Sequence, residues 1–152
     1  MFLTQLNTLA AAGDWAGALA ATIAHFGADS GTIHHLGADG HLHLTAASAG
    51  IPPQVIEIVR LVPVGKGMAG LAAERREPVS ICNIQTDTSG DVRSGARATG
   101  LEGAIALPMF GEANRVAGVL GIANRAARTF TPEETEALME VGRLLARFPP
   151  AA

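Results

Sequence analysis

Phe2, Leu3, Leu6 and Leu9 recur at the spacing of one helix face before Gly13 breaks the run, which predicts a short amphipathic helix at the start of the chain. Asp14 can cap a second helix, whose apolar stripe of Trp15, Ala18, Leu19, Ile23 and Phe26 is interrupted only by Thr22 and closed by Gly27. The period then changes. Thr32 to Leu36 and His41 to Ala47 read as two strands joined through Gly37 to Gly40, with Asp39-Gly40 supplying the left-handed conformations of a tight turn. Leu42, Leu44 and Ala46 alternate with polar neighbours, so one face of this hairpin is expected to be wet or to line a pocket. A short helical run starts at Pro52-Pro53 and ends at Val59, Leu61 to Val64 is extended, Gly67 to Arg75 is helical, and Val79 to Ile84 is the next strand.

Gln85 to Gly100 is rich in Thr, Ser, Gly, Asp and Arg and is long for a simple connection, which suits a binding loop. Gly103 to Phe110 and Arg115 to Asn124 form a second hairpin through Gly111 to Asn114, with Ile105, Leu107 and Met109 alternating against Ala104 and Ala106. The last helix is marked by Thr131 as cap, Pro132 in the first turn and Glu134 at the capping-box position. Its apolar face is Ala137, Leu138, Val141, Leu144, Leu145 and Phe148, ended by Pro149-Pro150. Helices at both ends around two hairpins and a short strand predict an α+β fold, an antiparallel sheet with helices packed on it.

A chain of 152 residues, 48% hydrophobic and 16% charged, supports one buried core and argues against disorder. The net charge of -3, with Arg and Lys scattered, offers no face for nucleic acid. No apolar run approaches the roughly 20 residues of a membrane span and no signal peptide is visible, so a cytoplasmic protein is expected. The lone Cys82 fits a reducing compartment.

Leu61 to Gly70 (LVPVGKGMAG) followed by Glu77-Pro78-Val79, then Ile105 to Met109 (IALPM), Val116 to Ile122 (VAGVLGI) and Phe130 to Glu134 (FTPEE), resemble in order and spacing the GAF domain family. The likeness covers residues 14–148, with 1–13 as a helical extension and 149–152 as a tail. It implies a GAF-like, PAS-related antiparallel sheet of about five to six strands, with the terminal helices on one face and a loop-covered pocket on the other. Family members bind cyclic nucleotides, tetrapyrroles, haem, anions or small metabolites, or only dimerise, and no cofactor follows from the fold. Free methionine sulfoxide reductases are GAF enzymes that use more than one cysteine, and bilin attachment needs a Cys-His pair where Asn83 follows Cys82, so no catalytic residue is assigned and the chain is expected not to be an enzyme. The family's cyclic-nucleotide signature is matched only in part by Asn124-Arg125, Phe130 and Glu134-Thr135, which reads as a structural tie between the last strand and the last helix.

Gly65, Gly67 and Gly70 spell a dinucleotide-type glycine pattern, but the four-residue extended segment with Pro63 and the helix curtailed by Pro78 favour a tight turn. Arg93 and Arg97 in the loop are the expected anchors for a small polar or anionic metabolite, beside Asp87, with Met68, Cys82, Ile105 and Leu107 as pocket walls. His35, His41 and His43 can share one strand face and are a candidate zinc, nickel or copper site, weighed against a solvated sheet edge. The expected function is a sensory or regulatory small-molecule-binding domain without a fused output domain, signalling through a homodimer of its terminal helices or through a separate partner. The alternatives are a structural dimerisation module with no ligand, and a sulfoxide-reductase-like enzyme or histidine-cluster metal protein.

Overall fold

The computed structural model describes residues 1–92 and 94–150. Its elements in chain order are α1 (Phe2–Ala11), α2 (Trp15–His25), β1 (Ser30–Leu36), β2 (His41–Ala47), α3 (Pro53–Val59), β3 (Leu61–Pro63), α4 (Gly67–Arg75), β4 (Val79–Ile81), β5 (Gly103–Phe110), β6 (Val116–Asn124) and α5 (Pro132–Leu145). A 3-10 helix covers Ser94–Thr99 and another Glu112–Asn114. The strands form one six-stranded sheet in the order β3-β2-β1-β6-β5-β4, and every neighbouring pair is antiparallel. Both expected hairpins are present, and the centre of the sheet joins them through β1 and β6, from Ser30 opposite Ala123 to His35 opposite Gly118.

Strand alternation sorts the side chains onto two faces. One face carries Ile33, Ile105, Leu107, Met109, Leu120 and Ile122, which pack with Leu6, Trp15, Leu19, Leu138, Val141 and Leu145 of α1, α2 and α5 into the main core. Leu6 and Ala10 of α1 belong to this core, so the first helix is built into the fold. On the other face, smaller clusters gather around Leu42, Val62, Ala106 and Val119 and around Ile81, Ile84, Ala104 and Ala123, covered by α3, α4 and the segment after β4.

The expected alternation of Leu42, Leu44 and Ala46 does not hold. The register of β1 and β2 shifts between Ile33 and His34, so that Ala46 pairs with Ile33 while Leu44 pairs with His34, leaving Thr45 as the extra residue of a bulge. Ala46 therefore joins the helix-side core, whereas Leu42 joins the opposite face.

The ends of the elements are closed as the residue types dictate. Asp14 accepts the Gly17 amide at 2.9 Å, and Thr131 and Glu134 complete a reciprocal capping box at the start of α5. Arg128 ties the exit of β6 to that helix: it donates to Asn124 Oδ1 at 2.8 Å and to Glu134 Oε2 at 2.6 Å, and lies 4.3 Å over the Phe130 ring. The structural tie expected of the Asn124, Phe130 and Glu134 positions is present, with Arg128 as its cation. Arg125 meets Asp29 through its main-chain amide.

The glycine pattern is a tight turn. Gly65 has a φ of 93° and its amide donates to the Gly70 carbonyl at 2.8 Å, while a side chain at Gly70 would collide with the Pro63 carbonyl.

Candidate functional site: an apolar hollow over the sheet

Small residues leave room on the sheet face that the terminal helices do not cover. Thr32 of β1, Ala104 and Ala106 of β5, and Gly121 and Ala123 of β6 form a shallow floor, walled by Val55 and Val59 of α3 and by Met68 and Ala69 of α4. Ala96, Thr99 and Leu101 close it from the segment after β4. This chamber has a volume of about 170 Å³, and a second of about 160 Å³ adjoins it, reaching His34, Val62, Lys66 and Val92. Thr32, Val55, Val59, Met68, Ala69 and Ala96 border both.

The lining holds few polar groups, and most are engaged. Ser30 Oγ lies 3.0 Å from Ser48 Oγ. Thr99 donates to the Ala96 carbonyl at 2.7 Å and accepts the Leu101 amide at 3.1 Å. His34, only 2% exposed, has Nε2 2.7 Å from the Val59 carbonyl, an acceptor, so this nitrogen carries the proton and Nδ1 is left unpartnered in the interior. Burial lowers the His34 pKa, which outweighs the opposing effect of that hydrogen bond, and keeps the ring neutral.

Several expected site residues take other positions. Met68 lines both chambers, as expected. Ile105 borders the first, although alternation turns its side chain into the helix-side core. Leu107 is not a wall: it is fully buried among the terminal helices, because it lies an even number of residues from Ile105 and shares that residue's face. Cys82 is not a wall either. It follows Ile81 in the alternation, stands exposed, and its sulfur meets the Thr129 hydroxyl at 3.6 Å.

Arg97 is exposed and donates to the main-chain carbonyl of Asp87 at 2.8 Å, so its guanidinium braces the loop and does not line the chambers. The Asp87 carboxylate accepts from the hydroxyl and amide of Ser89. Arg93 lies outside the described residues. Asp91 forms a two-pronged pair with Arg75 of α4, at 2.9 and 3.1 Å, which anchors the loop to that helix.

The histidines also separate. His35 and His43 are cross-strand partners, yet His35 is buried, meets Thr45 Oγ1 at 2.6 Å and stands edge-on to Trp15 at 4.7 Å. Burial, with a smaller contribution from His34, lowers its pKa to about 4. His41 and His43 remain at the open hairpin end around Asp39, whose carboxylate lies 2.9 Å from His43 Nε2. Hydrogen bonds from the His41 amide and the His43 ring hold the Asp39 carboxyl below its ordinary pKa. The three imidazoles do not converge, and among the described residues no group of three His, Cys, Asp or Glu side chains is arranged to hold a metal ion.

Val55, Val59, Thr32, Ala104, Ala106 and Gly121 are site residues that sequence reasoning alone misses. The signal available is bulk: β5 alternates Ala104 and Ala106 with Ile105 and Leu107, which marks the face left unfilled.

Fold and hollow belong to a single α+β domain, and sequence comparison gives its family. The family model described as GAF domain matches residues 15–148, and the chain belongs to that family. No curated protein matches it in sequence. Among solved structures it is similar to the free methionine-R-sulfoxide reductase of Neisseria meningitidis in complex with its substrate, with a TM-score of 0.76, 19% identity, and coverage of 95% of this chain and 83% of that one. It is similar also to the GAF domain of a phosphoenolpyruvate-protein phosphotransferase from Coxiella burnetii, with a TM-score of 0.76, 20% identity, and coverage of 95% and 88%. A third is the type II free methionine-R-sulfoxide reductase of Thermoplasma acidophilum, with a TM-score of 0.73, 16% identity, and coverage of 93% and 92%.

These neighbours correct one expectation. The chain is expected from its sequence not to be an enzyme, but the same architecture houses free methionine-R-sulfoxide reductases, so that expectation does not stand. Among the described residues, no helix is long and apolar enough to cross a membrane.

Proposed function

We propose that this chain is a regulatory GAF domain that binds a small molecule in the hollow between the sheet and α3 and α4. The observation that carries this reading is the hollow itself, formed where small side chains on three central strands face two short helices and a loop. A ligand there would touch β1, β5 and β6, whose opposite faces support α1, α2 and α5, so occupancy can be felt at the terminal helices. Leu3 is exposed and Phe2, Leu9, Leu144 and Phe148 are only partly buried, which supports self-association through those helices as the output. Thermal shift of the wild-type domain against a metabolite library is expected to give concentration-dependent stabilisation that disappears in Gly121→Val. Stabilisation retained in that variant would move the site elsewhere. An absence of any hit would favour a purely structural dimerisation domain.

A second reading is reduction of free methionine-R-sulfoxide, favoured by the likeness to a reductase whose substrate is bound. The thiol available to it is the exposed Cys82. Turnover with a dithiol reductant that is lost in Cys82→Ser would establish this reading, and no turnover would remove it.

A further inference from the structure

We infer that the ligand of this domain is a compact, uncharged, largely apolar molecule of about one to two rings, bearing at most one hydrogen-bonding group, which meets Thr32. This rests on the hollow being the ligand site.

Among the described residues, the charges of the loop lie where they cannot serve the first chamber. Arg97 is tied to the Asp87 carbonyl, Arg75 and Asp91 to each other, and Glu102 accepts from Asn83 at 3.2 Å. No ionisable side chain lines the first chamber among the described residues. In the second, His34 is held neutral by burial and Lys66 is exposed. An ion entering the first chamber would lose its water and gain no counter-charge, whereas an apolar molecule loses nothing there.

Size narrows the class further. Each chamber, at about 170 and 160 Å³, is close to the roughly 150 Å³ of an engineered apolar cavity that stays dry and takes up benzene. One ring therefore fills one chamber. Met68 borders both, and its flexible thioether can move to join them for a two-ring ligand.

In the first chamber the polar handle is identified by elimination, and the unpartnered Nδ1 of His34 beside the second is itself buried from contact. The Ser30 and Thr99 hydroxyls are already engaged, while among the described residues the Thr32 hydroxyl has no hydrogen-bond partner. It lies on the floor of both chambers, beside Gly121, where a ligand hydroxyl, carbonyl or ring N–H can reach it.

Calorimetry and thermal shift with indole, p-cresol, toluene and benzoate test the assignment. Gly121→Val is the control that fills the floor: a Cβ at Gly121 meets only Thr32 Oγ1 at 3.5 Å and Ile105 O at 3.7 Å, ordinary contacts, so the variant should fold. Indole and p-cresol are expected to bind wild type, to lose binding in Gly121→Val, and to exceed benzoate in affinity by about 100-fold. Thr32→Val should weaken p-cresol several-fold and leave toluene unchanged. Benzoate binding as tightly as p-cresol, and losing that binding in Gly121→Val, would overturn the uncharged class while the hollow stood as the site. The uncharged class also falls, with the hollow again standing, if none of the four binds but library hits still vanish in Gly121→Val. Probe binding that survives Gly121→Val would overturn both the class and the site.

Discussion

The two faces of one sheet behave as opposites although the same strands build them. On β5, Ile105, Leu107 and Met109 enter the helix-side core and are 2% exposed or less, while Ala104 and Ala106, one residue away in each case, floor the hollow. On β6, Leu120 and Ile122 enter the core while Gly121 and Ala123 face the hollow. Side-chain volume, distributed with period two, decides which face becomes solid and which keeps space for a guest. The solid face fixes the fold, which leaves the other face partly unfilled.

The sharpest way to break this contrast is to remove volume from the solid face. Leu107→Ala deletes a fully buried side chain between the sheet and the terminal helices, and about 2–5 kcal/mol of unfolding free energy should be lost in denaturant titration. Acid attacks the same face at His35. Its pKa of about 4 lies below the ordinary 6.5, so between those values the unfolded chain binds the proton that the folded one refuses. Stability should therefore be full above about pH 6.5 and fall as the pH drops toward about 4, by at most about 3 kcal/mol. The slope measured by unfolding across this window should flatten in His35→Gln, and an unchanged slope would assign it to other groups.

Arg128→Ala removes the clasp between the exit of β6 and α5, with two charge-assisted hydrogen bonds and the contact over Phe130. A loss of about 1–3 kcal/mol is expected, measured by thermal or denaturant unfolding. The smallest effect belongs to the open face. Gly121→Val adds volume where space exists and replaces a flexible residue within a strand, so stability should change by less than about 1 kcal/mol, toward greater stability, even as ligand binding disappears. A large destabilisation there would show that the floor is packed tightly and that the two faces are not opposites.

Much of the fold is legible in the chain. The capping box at Thr131, the Asp14 cap, both hairpins and the glycine turn at 65–70 depend on local chemistry, and local chemistry is written in consecutive residues. The bulge at Thr45 is not legible, because it is set by pairing with β1, and it moves Ala46 to the face opposite Leu42. The site is less legible than the fold. Met68 lines it as expected, but Leu107 and Cys82 are turned away from it by strand alternation, which outweighs their nearness in the chain to residues that do line it. The charge of Arg97 suggests an anchor, and its actual partner is a loop carbonyl that no spacing rule predicts. The histidines share strands and differ in fate, since His35 points beneath α2 and His41 and His43 lie beyond its cover.

By itself the sequence determined most of the elements, their caps and turns, and the family, because period, cap residues and the spacing of short motifs are properties of neighbouring positions; the strand expected over 79–84 stops at Ile81, and the 3-10 helix Ser94–Thr99 lies in the expected loop. Tertiary structure alone decided that β1 joins β6 at the centre of the sheet, that α3 and α4 stand over Ala104, Ala106 and Gly121, and that Asp91 is spent on Arg75 of α4 and Arg97 on a loop carbonyl. The physical reason is range. A cavity is the space between elements distant in sequence, and its polarity is set by which side chains are already engaged elsewhere, which no single segment records.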